Sequence, residues 1–155
     1  MKGVEGMKTI FFDMDGTLNR LYDYPNWLEK LRAFDPSPYA EAEVNLNMSL
    51  LARYLNKLRT MGFRVEIISW LSQIPNPAYD QAVTAEKYSW LDKHLGSVEF
   101  DAIHITAYGV PKQNFITEED DILFDDNAAI RQAWTGQAYE PSEILTVLYN
   151  LIKGS

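Results

Sequence analysis

The sequence predicts an α/β fold, a Rossmann-like three-layer sandwich built on a mostly parallel five-stranded sheet. Three observations carry this reading. Short β-rich apolar runs alternate with segments of helical periodicity along most of the chain, the pattern of a parallel sheet covered by helices on both faces. Polar and acidic residues stand directly after the apolar runs, where sheets of this kind bind their ligands. No internal repeat or low-complexity linker divides the 155 residues, so we expect one domain over 1–155 with a short lid insert at about 19–44.

The elements follow in order. Lys8 to Phe12 (KTIFF) reads as a buried strand that breaks at Asp13, Met14, Asp15 and Gly16. Between Asn47 and Met61, Leu51, Tyr54, Leu55 and Leu58 recur at helical spacing, and Gly62 supplies the stop. Phe63 to Ser69 (FRVEIIS) is a second strand. Asn76-Pro77 caps and starts a helix whose apolar face is Tyr79, Val83, Trp90, Leu91 and Leu95, closed by Gly96. Ala102 to Thr106 and Asp121 to Phe124 are a third and a fourth strand, with the acidic run Glu118 to Asp121 read as a solvated turn. Ala128 to Trp134 is a short helix, Gln137 to Tyr139 a small fifth strand, and Pro141 to Ile152 a closing helix. Trp90, Trp134 and Tyr149 are expected in the core, and His94 and His104 in structural roles.

Composition narrows the function classes. The net charge of −8, with 22 acidic against 14 basic residues and no basic run, disfavours a nucleic-acid polymer, whose phosphates need clustered Lys and Arg. No stretch is long and apolar enough for a membrane span, and Met1 to Lys8 does not resemble a secretory leader. The absence of cysteine excludes disulfides and thiolate metal sites and is compatible with a cytoplasmic protein. A small phosphorylated substrate remains open, provided a metal and local cations offset the repulsion.

The strand ends hold the chemistry. The first ends in Asp13 and Asp15, the second in Ser69, and the fourth in Asp125 and Asp126, while Lys112 lies in the loop after the third. A parallel sheet would gather these at one edge, where several carboxylates repel unless a hard cation sits among them; Mg2+ prefers such oxygen ligands. Each residue also has a plainer use. Asp-x-Asp-Gly alone suits a turn or a calcium-type loop, Asp126 and Asn127 suit helix capping, and Ser69 an ordinary strand end.

Together these segments resemble the haloacid dehalogenase-like (HAD-like) phosphatases. The resemblance runs from about Lys8 to Trp134 through FFDMDGTL at Phe11 to Leu18, Ser69 after Ile67 and Ile68, Lys112, and ILFDD before Asn127. It implies a HAD-like fold with a minimal or absent cap. It further implies that Asp13 is the nucleophile forming an aspartyl phosphate and Asp15 the general acid and base. Mg2+ would be held by Asp13, the Asp15 carbonyl and Asp126, with Asp125 behind them. Ser69, Lys112 and the backbone around Gly16 would hold the phosphate.

Substrate choice in this superfamily usually comes from a cap, and here the segment Asn19 to Val44 is too short for an independent cap domain. It is rich in rings, among them Tyr22, Tyr24, Trp27, Phe34 and Tyr39, with one short helix expected at Trp27 to Phe34. Tyr22, Trp27 and Trp70 are candidate substrate contacts, although packing alone would also use them. FDMDGTL with LFDDN is similar to the 5'-deoxyribonucleotidases, which makes a nucleoside monophosphate the leading substrate expectation. A phosphotransferase, or a non-catalytic binding domain on the same fold, fits the same residues.

Overall fold

A computed structural model describes residues 8–154. Apart from Lys8, the N-terminal segment read as lacking a secretory leader lies outside the described residues.

Five strands, β1 (Thr9–Phe12), β2 (Arg64–Trp70), β3 (Ala102–Thr106), β4 (Ile122–Phe124) and β5 (Gln137–Tyr139), form one sheet in the order β3-β2-β1-β4-β5. Every pairing is parallel, so the sheet is wholly rather than mostly so. Among the described residues six α-helices accompany them: α1 (Trp27–Arg32), α2 (Ser37–Glu41), α3 (Met48–Thr60), α4 (Pro77–Leu95), α5 (Ala128–Ala133) and α6 (Ile144–Lys153). Asn47, Asn76 and Asn127 cap α3, α4 and α5 through their side-chain oxygens, which accept from backbone N–H groups of the first turn.

Strand alternation divides the core. Ile10, Phe12, Val65, Ile67, Ile122 and Phe124 face α3, α4 and α6 in one large cluster with Leu51, Leu55, Trp90 and Leu148. Phe11, Ile68 and Leu123 point to the opposite face, against Trp134 and Ile130. Since Phe12 pairs with Ile67 and with Phe124, the same parity carried one residue on puts Asp13, Ile68 and Asp125 on one side of the sheet, and Ser69 on the other.

Three expectations change. The segment 19–44 holds two short helices rather than one, because Pro36 and Pro38 sit at the start of α2, where proline is tolerated, instead of breaking it. Tyr149 is 47 % exposed: α6 buries Ile144 and Leu148 and packs Leu145, Val147, Leu151 and Ile152 partly on the core, while Tyr149 lies outside that face beside Tyr54. Asp121 is fully buried: its carboxylate accepts from the backbone N–H groups of Thr9, Thr117 and Glu118, tying the start of β1 to the loop before β4.

Candidate active site

Past the carboxyl ends of the strands lies a cleft of about 800 Å³. Asp13, Asp15, Lys112, Asp125 and Asp126 form its floor, and Tyr22, Trp27, Trp70 and Tyr108 contribute rings to its walls.

Asp13 follows β1 directly, and its N–H still donates to Phe124 O of β4 at 3.0 Å, so the sheet fixes its backbone. Both carboxylate oxygens have partners: Oδ1 accepts from Lys112 Nζ at 2.9 Å and Oδ2 from Thr17 Oγ1 at 2.9 Å. Lys112 starts a short 3-10 helix (Lys112–Phe115), is 2 % exposed, and also donates to Asp125 Oδ2 at 2.8 Å. Asp125 Oδ1 in turn accepts from the Asn127 N–H, and Thr17 Oγ1 accepts from the Asp126 N–H. The distant motif segments are thereby joined by hydrogen bonds.

Electrostatics leave this cluster short of positive charge. One oxygen each of Asp13, Asp125 and Asp126 lie within 4.8 Å of one another; among the described residues Lys112 is the one cation paired with these carboxylates, the Arg131 guanidinium donating instead to the Asp125 carbonyl, so carboxylates outnumber their paired cations by two. Burial, then the Asp13 charge, push the Asp125 carboxyl up to about 6 despite Lys112. Asp126 is an exposed residue, yet desolvation of its carboxyl, followed by Asp13, pushes it up to about 7. Burial alone would lower the Lys112 ammonium, but Asp13 and Asp125 outweigh it and hold it above the ordinary lysine range. Burial, then Asp15 and Asp13, keep the Tyr22 phenol protonated well above its usual range. A divalent cation with oxygen preference fits this donor set in charge and in ligand type.

Asp15 stands apart from the acidic cluster. Its Oδ1 accepts from Asn19 Nδ2 at 3.1 Å and its Oδ2 from Lys87 Nζ at 3.1 Å. Gly16 has φ +83°, and a Cβ there would collide with the Asp126 carboxylate and the Tyr22 ring. Glycine is therefore required for close approach of the two motif loops, and its N–H is directed to Asn19. Ser69 is fully buried and does not line the cleft; the alternation of β2 turns its hydroxyl to the α4 side, where it lies 2.5 Å from Lys87 Nζ.

Trp70, Tyr22 and Trp27 all reach the walls. Trp70 donates its Nε1–H to Val110 O at 2.8 Å and packs 5.0 Å from the Tyr108 ring, while Tyr22 and Trp27 meet edge to face at 4.9 Å. Tyr108, 51 % exposed, was not anticipated from sequence. Nor was Lys87, which lies in α4 between Val83 and Leu91 on the buried face. A lysine four residues from each of two apolar positions in one stripe was the available signal, since a buried ammonium demands a partner.

No family model matches the chain, and no curated protein is significantly similar to it in sequence. Among solved structures, the D,D-heptose 1,7-bisphosphate phosphatase of B. bronchiseptica, in complex with magnesium and phosphate, is similar over 96 % of this chain and 100 % of its own, with TM-score 0.57 and 14 % identity. The corresponding enzyme of Burkholderia thailandensis is similar over 84 % and 74 %, with TM-score 0.50 and 18 % identity. A protein assigned to the HAD-like phosphatases from Mesorhizobium loti is similar over 96 % and 87 %, with TM-score 0.57 and 16 % identity. The five-stranded parallel sheet with its acidic strand ends thus has the fold of the HAD-like phosphatases.

Proposed function

We propose that this protein is a magnesium-dependent phosphomonoester hydrolase with Asp13 as its covalent nucleophile. The observation that carries the reading is Lys112 bridging Asp13 and Asp125 on the cleft floor, with Asp126 beside them. The fold likeness to two heptose bisphosphate phosphatases supports it.

In this reading a carboxylate oxygen of Asp13 forms a bond to phosphorus as the ester P–O bond breaks, and Asp15 gives a proton to the leaving oxygen. Water then attacks the aspartyl phosphate, Asp15 takes its proton, and inorganic phosphate leaves with Asp13 restored. Lys112 holds a phosphate oxygen while steadying Asp13, and Thr17 fixes the other oxygen of Asp13. Gly16 serves by letting the first loop close onto Asp126, and Ser69 by anchoring the end of β2. Magnesium, held by Asp13, the Asp15 carbonyl and Asp126 with Asp125 behind, would neutralise charge gathering on the phosphoryl group.

The segment 19–44 acts as the lid in this account, since α1 brings Trp27, Leu28, Leu31 and Arg32 to the cleft. The two ring pairs lining the cleft, Tyr22 with Trp27 and Trp70 with Tyr108, favour a flat, partly apolar leaving group, and a nucleoside 5'-monophosphate is the leading substrate. Arg32 on the same wall favours a second reading, a sugar bisphosphate whose distal phosphate meets the guanidinium. A cysteine-free chain suits work in the reducing cytoplasm. Phosphate release from nucleoside monophosphates and sugar bisphosphates, with and without magnesium, tests the proposal. Magnesium-dependent release, lost in Asp13→Asn, is expected; release by Asp13→Asn at the wild-type rate would remove the covalent mechanism.

A further inference from the structure

Lys87 takes no part in the chemistry above, yet it is among the most completely enclosed groups in the molecule. Its side chain is fully buried in the face of α4 that packs on the sheet, between Val83 and Leu91. An ammonium in such a place is tolerated only with partners for its charge and its three protons. It has three: Asp15 Oδ2 at 3.1 Å, Ser69 Oγ at 2.5 Å and Trp70 O at 2.9 Å. The Tyr39 ring of α2 covers it, with its centroid 5.3 Å from Nζ. One side chain therefore joins the Asp15 carboxylate, the end of β2 and the segment over the cleft.

Resting on the phosphatase reading, we infer that Lys87 is a positioning residue for Asp15, holding its carboxyl group where it can exchange a proton with the leaving oxygen. The ammonium can only donate, so Oδ2 is committed to accepting from it. Oδ1, whose single partner is Asn19 Nδ2, is then the oxygen that carries the proton given to the leaving group and later taken from water. Without Lys87, the Asp15 carboxyl group, which follows β1 in a turn, would be held by Asn19 alone. Lys87 reaches it from a helix of 19 residues packed on the sheet, a far stiffer support than the turn itself.

The test exploits the leaving group. Expelling dinitrophenolate needs little help from an acid, whereas expelling an alkoxide needs much, so a defect confined to Asp15 is felt by alkyl esters and spared by dinitrophenyl phosphate. Lys87→Met, which keeps the length of the stem, is compared with wild type on both esters under saturating magnesium. We expect kcat on the alkyl phosphate to fall roughly 10- to 100-fold and that on dinitrophenyl phosphate by less than about threefold. In an Asp15→Asn background the same substitution is expected to cost little more, because the group it positions is already gone. Equal losses on the two esters, or full additivity with Asp15→Asn, would overturn the inference while leaving the phosphatase reading intact. Absence of release by wild type from both esters and from the substrate panel would sink both. Should Lys87→Met fail to fold, Lys87→Gln, which is uncharged and one atom too short to replace the ammonium at Asp15 yet keeps a polar end beside Ser69 and the Trp70 carbonyl, is held to the same two criteria.

Discussion

Two buried lysines serve the same cleft in opposite ways. Lys112 comes from a short 3-10 helix and stands on the floor, paired with Asp13 and Asp125. Lys87 comes from the middle of the longest helix and lies sealed beneath the floor, paired with Asp15 and Ser69. Each neutralises one carboxylate of the Asp13-Met14-Asp15 turn, so the two acids have separate cationic partners on opposite sides of the sheet. Two carboxyl groups two residues apart can thus hold different roles: Asp13 belongs to the cluster with Asp125 and Asp126, whereas the Asp15 carboxyl is held by Lys87 and Asn19.

The sharpest way to break this comparison is to remove Lys112. Lys112→Met strands Asp13 and Asp125 as buried carboxylates, and we expect a loss of about 3–5 kcal/mol in stability by denaturant unfolding. Turnover should drop roughly 100- to 1,000-fold even where the variant is folded, exceeding the effect of Lys87→Met on every ester. If Lys87→Met proved the more damaging on dinitrophenyl phosphate, the division of labour between the two lysines would be wrong.

A smaller effect follows from pH. The Asp126 carboxyl, raised to about 7 by desolvation and by Asp13, is protonated below that value, and the neighbouring Asp125 follows at about 6. Magnesium must expel those protons, so its affinity should fall as pH drops through 7, by up to about tenfold per unit, when followed by calorimetry. Without metal, these carboxyls are raised above their unfolded values, so their contribution to stability is full below about 4, declines as pH rises, and is gone above about 7. Asp126→Asn should flatten both profiles; unchanged profiles in that variant would show that Asp126 is not the group involved.

The smallest effect is expected at the walls. Trp27→Ala removes one ring from the lid side and should raise KM for an aromatic phosphoester roughly two- to tenfold with little change in kcat. A comparable change for a sugar phosphate, with none for the nucleotide, would favour the second substrate reading.

How much of this was legible in the sequence differs between the two lysines for physical reasons. The sheet declared itself because apolar runs such as KTIFF and DILF end abruptly in polar residues, and parallel topology then forces those ends together. Lys112 was found by its place between the third and fourth strands. Lys87 was missed because a lysine within a helix is ordinarily a surface residue, and only its position within the Val83 and Leu91 stripe marked it. Ser69 was recognised as a strand end, but strand parity, which depends on the register with β1, decided which face its hydroxyl met. An acidic run such as Glu118 to Asp121 reads as a solvated turn because the sequence does not show which member points inward. The inward turn of Asp121 is a tertiary matter, set by the unpaired N–H groups of Thr9, Thr117 and Glu118 that it satisfies.

The central claim is that phosphorus is transferred to Asp13, and the direct measurement is acid-quenched peptide mapping after rapid mixing with dinitrophenyl phosphate and magnesium. The account predicts one phosphoryl group on the peptide containing Asp13, absent in Asp13→Asn and discharged when the native enzyme is left to turn over. Turnover with no such adduct at any time, or an adduct on another residue that survives in Asp13→Asn, would contradict it.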